Sequence, residues 1–145
     1  MLVQQILQSK EGITGVLTLK PGDLVSEAAR IMSEKRIGTI VVSESGETAD
    51  GILSERDIVR ELGKAGPGCM SNCVRDLMTA NPTTTTPEAS GEEVLTIMTE
   101  GRFRHLPVVE GGKMLGLISI GDVVKARLAE LAMERDALEG MIRGN

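Results

Sequence analysis

The sequence predicts an α+β protein made of two similar halves, each folded as β-α-β-β-α, with an extended C-terminal helix. Three observations support this prediction. The chain of 145 residues contains an internal repeat, helix and strand patterns follow the same order in both halves, and an apolar stripe continues past the second half. A piece of about 60 residues buries only about 60% of its unfolded surface, so we expect the halves to pack as a pseudo-twofold pair.

The repeat is clearest in two nine-residue segments, GILSERDIV at 51–59 and GLISIGDVV at 116–124. They keep Gly, Ser, Asp and Val in register and stand 65 positions apart. Upstream, VSEAARIMSEKRI and GEEVLTIMTEGRF align at an offset of 66 when Pro21 is set against Pro87. A duplication of this kind predicts two copies of one supersecondary unit.

The chain divides into four expected segments. These are a first repeat at 1–62, a linker at 63–72, a second repeat at 73–131 and a helical extension at 132–145. The linker GKAGPGCMSN contains three glycines and a proline, which interrupt helix and strand patterns alike. The two cysteines, Cys69 and Cys73, lie at this boundary without a second pair to complete a zinc site. We expect reduced thiols here, and a disulfide or redox role stays open.

Each half contains an amphipathic helix. Apolar residues at 24, 25, 28, 29 and 32, and again at 94, 95, 97 and 98, have the spacing of a helix with one buried face. We expect Asp23 to cap the first of these helices. Ser90 with Glu93 forms a capping-box pattern before the second.

Two short apolar runs follow each helix and predict a pair of strands. The runs are at 40–42 and 52–53 in the first half and at 106–109 and 115–119 in the second, separated by glycine-bearing turns. Gly51 and Gly116, at the repeated segments, either permit close approach of a ligand or backbone or serve as strand-turn glycines. A second helix is expected to begin at each Ser-x-x-Asp.

Composition and charge favour a cytoplasmic protein that does not bind nucleic acid. Sixteen basic against 21 acidic residues give a net charge of -5, whereas binding a phosphodiester backbone requires a basic stripe. No apolar run approaches the roughly 18 residues of a membrane helix, and the opening MLVQQILQSK lacks the parts of a secretory signal. We therefore expect no membrane partner.

The two Ser-x-x-Asp segments, Ser54 with Asp57 and Ser119 with Asp122, are the candidate functional residues. Their spacing is that of a helix N-cap and its third residue, so one interpretation is purely structural. The other is a ligand site. A helix N-terminus offers free N–H groups to a phosphate, and the carboxylate can accept two hydrogen bonds from the vicinal hydroxyls of ribose.

Together with RHLPVV and the run PGDLVSEAARIMSEKRIGTIVV, the segments GILSERD and GLISIGD resemble a tandem cystathionine-β-synthase (CBS) domain pair. Such a pair is also called a Bateman module, and the resemblance is to the stand-alone bacterial type. It covers about residues 3 to 131. It implies an adenine nucleotide, AMP, ADP, ATP or NAD(H), as a regulatory ligand in energy sensing, with signalling through a homodimer or to a regulated protein partner.

The resemblance assigns nucleotide-binding roles to residues in both halves. Those that it places in one cleft, with the base near the last two, are Ser119, Asp122, Arg104, His105, Gly38 and Thr39. Those that it places in the mirror cleft are Ser54, Arg56 and Asp57. Those that it matches to segments edging such clefts are Ser9, Lys10 and Thr14. With one Phe and neither Trp nor Tyr, a purine would lie between aliphatic side chains and backbone, for which candidates are Ile37, Ile40 and Phe103.

The sequence does not predict an enzyme. It contains one His, no identifiable catalytic set and no glycine-rich phosphate loop, so no catalytic cofactor or metal is expected. The alternative to a regulatory sensor is a dimerisation scaffold without a nucleotide. This alternative rests on a heptad-like stripe, interrupted only at Arg135, that favours self-association through the C-terminal helix. Its residues are Val124, Leu128, Leu131, Leu138 and Ile142.

Overall fold

The computed structural model describes residues 1–10 and 16–143, which form six α-helices and six β-strands. The helices are α1 (Val3–Ser9), α2 (Val25–Lys35), α3 (Glu55–Ala65), α4 (Val74–Leu77), α5 (Gly91–Gly101) and α6 (Ile120–Ile142). The strands are β1 (Thr18–Leu19), β2 (Thr39–Val42), β3 (Gly51–Ser54), β4 (Thr79–Ala80), β5 (His105–Glu110) and β6 (Lys113–Ser119). No helix in the described ranges has the length and apolar character required to cross a membrane.

The strands form one sheet in each half. In the first, β1 runs parallel to β2, and β3 is antiparallel to both β2 and β4. In the second, β5 and β6 form an antiparallel pair, and a single parallel bridge from Thr85 to Val108 stands where the first half has β1. Pro82 and Pro87 flank Thr85 and cannot donate ladder hydrogen bonds, which keeps this bridge short. The predicted α+β class is confirmed.

The starts of α2 and α5 differ in their caps. Ser90 caps α5 as predicted, since its Oγ accepts a hydrogen bond from the backbone N–H of Glu93 at 3.1 Å. The expected Asp23 cap of α2 is wrong, because the N-cap residue is Leu24. The Asp23 carboxylate instead accepts a hydrogen bond from the backbone N–H of Lys20 at 2.9 Å and closes the preceding turn.

Each half has its own apolar core, and each core includes a short helix from the other half. Val3 and Ile6 of α1 pack into the core of the second half, and Val74 of α4 packs into the core of the first. Single antiparallel bridges, Leu2 to Ser90 and Leu24 to Cys73, hold the chain where each exchanged helix enters. The predicted segment boundaries stay predictions, and each core contains residues from both sides of the predicted linker.

The repeated glycines make room for these exchanged segments. A Cβ on Gly51 would lie 2.3 Å from Sδ of Met78, the residue that follows α4. A Cβ on Gly116 would lie 2.9 Å from a terminal methyl carbon of Leu7 in α1. Both distances are too short for non-bonded atoms. Close packing against side chains of the other half therefore favours glycine at both positions.

The predicted linker is largely helical. Helix α3 continues through Gly63 to Ala65, Gly66 ends it with a φ of 81°, and a 3₁₀ helix follows at Pro67–Ser71. Glycine tolerates this positive φ, and proline fits the first position of the next helical turn. Cys69 and Cys73 are free thiols, and Cys69 is buried.

Candidate functional site

Two clefts open between the halves. The Ser54 cleft has a volume of about 390 Å³ and lies at the start of α3, and its polar and aromatic side chains include those of Ser54, Arg56, Asp57, Arg102, Phe103 and Arg104. The Ser119 cleft has a volume of about 580 Å³ and lies between the ends of α1, α2 and β6, with side chains that include those of Lys10, Arg36, Ile37, Leu117 and Ser119. Gly38, Thr39 and His105 line both clefts and form the wall between them.

The Ser54–Asp57 segment forms a complete capping box. The backbone N–H of Asp57 donates to Ser54 Oγ at 3.2 Å, and the backbone N–H of Ser54 donates to Asp57 Oδ2 at 2.8 Å. The Ser54 hydroxyl also donates to Oδ2 at 3.0 Å. Within residues 1–10 and 16–143, the second oxygen, Oδ1, accepts a single hydrogen bond, a long one of 3.4 Å from the exposed side chain of Arg60. Asp57 thus caps α3 with one oxygen and keeps the other available to the cleft.

The Ser119–Asp122 segment has the same box but a further partner. Asp122 N–H donates to Ser119 Oγ at 3.1 Å, and Ser119 N–H donates to Asp122 Oδ2 at 2.9 Å. Lys10 Nζ lies 2.9 Å from the same Oδ2 and also donates to the carbonyl oxygen of Leu117 at 2.9 Å. Lys10 lines the cleft, whereas Asp122 is not among its lining residues. The lysine therefore covers the carboxylate on the cleft side.

The charge of Asp122 reflects these contacts. Burial disfavours the charged carboxylate, but the hydrogen bonds from Lys10 and Ser119 outweigh it, so the pKa of Asp122 lies below its ordinary value. The group is an anion at neutral pH. Its negative charge is already balanced by the Lys10 ammonium, which reduces what this cleft can offer to a further hydrogen-bond donor.

The wall between the clefts contains the chain's single histidine. Nδ1 of His105 lies 3.2 Å from the hydroxyl oxygen of Thr39. Burial lowers the pKa of His105, the positive charges of Lys10 and Arg104 lower it further, and Asp122 acts in the opposite direction. The imidazole is therefore neutral at pH 7 and can donate one hydrogen bond and accept another.

Among the described residues that line the two clefts, basic side chains outnumber acidic ones, although the chain carries a net charge of -5. The Ser54 cleft is lined by four arginines against two acidic residues, Glu55 and Asp57. The arginines are Arg56, Arg60, Arg102 and Arg104. The basic residues of the Ser119 cleft are Lys10, Lys35 and Arg36. This distribution favours anions between the halves and leaves the acidic excess elsewhere on the surface.

Arg36 and Arg102 are cleft residues that the sequence analysis missed. They end α2 and α5 in the left-handed conformation, with φ of 54° and 59°, and each lines one cleft. Such a conformation costs a residue other than glycine about 1–2 kcal/mol. The sequence does contain a signal for them. The two repeats align at an offset of 66 in this region, and that alignment pairs Arg36 with Arg102.

Arg104 lies in the Ser54 cleft, whereas the sequence analysis grouped it with Ser119. Successive side chains alternate along an extended chain, so Arg104 and His105 point in different directions at the start of β5. His105 lines both clefts, whereas Arg104 lines the Ser54 cleft and not the Ser119 cleft. Nucleotide-binding roles for all of these residues stay predictions.

Three other predicted residues have different places. Ser9 lines neither cleft, because its hydroxyl donates to the carbonyl oxygen of Ile6 at 2.8 Å and closes the end of α1. Thr14 lies outside the described residues. Of the candidates for purine contact, Ile37 and Phe103 each line one cleft, but Ile40 is buried in the core of the first half.

Comparison with known proteins identifies the family to which the two halves are similar. A family model described as the CBS domain matches twice, at 11–64 and 74–129. The chain is 36% identical over 126 residues to the mitochondrial CBS domain-containing protein CBSX3 of Arabidopsis thaliana, covering 84% of this chain and 61% of that protein. The chain therefore spans less than two thirds of the length of that relative.

Two solved structures illustrate the similarity in three dimensions. The CBS-domain containing protein ATU1752 from Agrobacterium tumefaciens superposes with a TM-score of 0.81 at 37% identity, covering 88% of this chain and 99% of that one. CBSX2, solved in complex with AMP, superposes with a TM-score of 0.72 at 28% identity, covering 88% of this chain and 96% of that one.

Proposed function

The chain belongs to the CBS domain family as a tandem pair, and we propose that it is a regulatory module that binds an adenine nucleotide between its halves. The observation that carries the proposal is the Ser54 cleft, where a carboxylate oxygen and four guanidinium groups line one cavity. CBSX2, a relative of the same fold, is known in complex with AMP. The ligand class is AMP, ADP, ATP or NAD(H), and the role is sensing rather than catalysis.

In the Ser54 cleft, each part of a nucleotide has a chemically suited group. Oδ1 of Asp57 accepts hydrogen bonds from the ribose hydroxyls, because Oδ2 is already engaged in the cap. Arg56 and Arg104 bind the phosphate, since a guanidinium can form two parallel hydrogen bonds to it. The purine packs against Ile52 and Phe103, which supply the apolar surface of the cavity.

The Ser119 cleft is not equivalent. Lys10 covers the carboxylate of Asp122, so the ribose hydroxyls would have to displace an ammonium that holds two contacts of 2.9 Å. A ligand here would instead present its phosphate to Lys10 and Arg36. The Ser54 cleft is therefore proposed as the tighter nucleotide site.

Replacing Asp57 by Asn tests the site while keeping a capping acceptor. We expect Asp57→Asn to weaken AMP binding by about tenfold or more, because it removes charge-assisted hydrogen bonds to ribose. Isothermal titration calorimetry measures the affinity. Asp76→Asn is the matched control, since Asp76 accepts a hydrogen bond from the N-cap residue of α4 at 3.1 Å in the same way but lines neither cleft. AMP affinity that is the same in both variants and in the wild type would contradict the proposal.

The second candidate function is a dimerisation scaffold. It is favoured by the apolar stripe of α6, whose apolar side chains are 44% to 77% exposed. A thermal-shift panel of AMP, ATP, NADH, S-adenosylmethionine and GTP separates the two functions. A ligand at 100 times its dissociation constant stabilises a protein by about 2.7 kcal/mol. A shift with adenine nucleotides supports the sensor, and no shift with any ligand supports the scaffold.

A further inference from the structure

We propose that α6 pairs with α6 of a second copy as an antiparallel two-stranded coiled coil whose twofold axis crosses the seam at the level of residue 133, between the layers of residues 131 and 135. The proposal extends the second candidate function, the dimerisation scaffold, by giving the partner, the orientation and the register. It does not depend on nucleotide binding. It follows from the spacing of the exposed residues, from their symmetry along the helix and from the charges beside them.

The stripe has the geometry of a coiled-coil seam. Counting Arg135, its positions are spaced alternately by four and three residues, as the d and a positions of heptads are. The six positions are Val124, Leu128, Leu131, Arg135, Leu138 and Ile142, and their exposed fractions run from 44% to 77%. The face of α6 that packs on its own half is a different one, since Val123 is the residue buried there.

The antiparallel arrangement follows from symmetry about residue 133. In that arrangement, residue 124 meets residue 142 of the second copy, 128 meets 138, and 131 meets 135. Every layer then joins an a position to a d position, as antiparallel coiled coils require. The single polar position, Arg135, faces a leucine and can extend its guanidinium to the edge. In a parallel pair, the two Arg135 side chains would meet each other in one layer.

The charges beside the seam favour the same orientation. Lys125 and Glu139 occupy equivalent e positions, which face each other across an antiparallel pair, and the twofold axis creates this contact twice. A parallel pair would instead bring Glu134 towards Glu139 of the second copy, which is repulsive. In the antiparallel pair, Glu134 meets Glu134 of the second copy once, at the axis, where the two Arg135 guanidinium groups can offset the repulsion. The helix is basic at 125 and 127 and mainly acidic from 130 to 139.

The seam is short, so the association is expected to be reversible. It spans residues 124–142, less than the three to four heptads that make a coiled coil independently stable. Exchange between copies on mixing is therefore rapid enough to use in a cross-linking experiment.

Disulfide cross-linking distinguishes the orientations. Leu128→Cys and Leu138→Cys proteins are oxidised separately, and also after mixing under reducing conditions. The antiparallel register predicts cross-linked dimers mainly in the mixture, because position 128 meets position 138. Wild type oxidised in the same way gives the background from Cys69, which is buried, and Cys73. Efficient cross-linking of each variant alone, or no cross-linking above background in the mixture, would overturn the proposal.

Charge reversal provides a second test in which folding is not at risk. Lys125→Glu and Glu139→Lys are each expected to raise the dimer dissociation constant about tenfold at low salt, and the double variant to restore it. Sedimentation equilibrium measures the constant. Met133→Glu is the control, since residue 133 lies on the opposite face of α6 and its charge should leave association unchanged. Failure of the double variant to restore association would contradict the register.

The nucleotide proposal can be judged separately in the same proteins. Leu128→Glu is expected to give a monomer that binds AMP with wild-type affinity, because it sets an unpaired charge opposite Leu138 of the second copy and residue 128 lines neither cleft. Loss of the dimer with retained AMP binding supports the seam. A Leu128→Glu protein that stays dimeric would overturn it, whatever its affinity for AMP.

Discussion

Gly51 lies beneath Met78, whose sulfur would stand 2.3 Å from a Cβ at that position. The duplicated Gly116 has the same relation to Leu7. At the scale of single residues, each repeated glycine therefore lies at a contact between the halves. The sequence predicted the importance of these glycines but left two explanations open, because the side chains that cover them come from segments far away along the chain.

Substituting Gly51 tests this steric explanation. We expect Gly51→Ala to lower the free energy of unfolding by about 1–3 kcal/mol, because the new methyl group forces Met78 out of the core. Urea denaturation followed by circular dichroism measures the change. Gly63→Ala is the control, because a methyl group on Gly63 in α3 would meet no atom within 4 Å, and alanine there should raise helix stability. Equal effects of the two substitutions would argue against the packing explanation.

His105 makes stability depend on pH in a range where no other side chain of the chain ordinarily titrates. Because burial keeps the folded-state pKa of His105 below its ordinary value of 6.5, the unfolded chain binds the proton more readily. The free energy of unfolding should therefore fall as the pH decreases through 6.5 towards the folded-state pKa.

The variant His105→Gln isolates this contribution. Its free energy of unfolding, measured by urea denaturation, should change less between pH 7.5 and pH 5.5 than that of the wild type. If both proteins lose stability equally over this range, His105 is not the responsible group.

Local signals predicted most of the secondary-structure elements, whereas contacts between distant segments were beyond the sequence. The boxes at Ser54 and Ser119 form because donor and acceptor lie three residues apart. The pairing of β4 with β3 and the exchange of α1 and α4 join residues from different halves, which no local pattern encodes. The same limit applies to the site. Sequence alignment grouped Ser54 with Asp57 but assigned Arg104 to the cleft of Ser119, whereas Arg104 lines the Ser54 cleft.

At the level of elements, the exchanged helices should be as important to stability as the helices of each half. Ile6→Ala in α1 is expected to lower the free energy of unfolding by about 2–5 kcal/mol, because Ile6 is 2% exposed and its removal leaves a cavity. Leu2→Ala is the control, since Leu2 is 37% exposed and should cost much less. Thermal unfolding measures both. A small effect of Ile6→Ala would show that α1 is not part of the second core.

Across the whole molecule, the two cores should unfold together. Each contains a helix that the other half supplies, so melting of one half removes apolar contacts from the other. The expected result is a single calorimetric transition whose van't Hoff and calorimetric enthalpies agree. Val74→Ala leaves a cavity in the first core, in which Val74 of α4 is buried. This variant should lower the midpoint temperature of the single transition without splitting it. Two resolved transitions in that variant would indicate independent halves.

The imidazole of His105 and the hydroxyl of Thr39 belong to both cavities at once. A phosphate that attracts a proton onto the ring from one side changes the hydrogen-bond donors and the charge that the opposite side presents. Two ligands bound together would therefore change each other's affinity through the side chains of this shared wall. Thermodynamic reciprocity then requires the influence of the first ligand on the second to equal that of the second on the first.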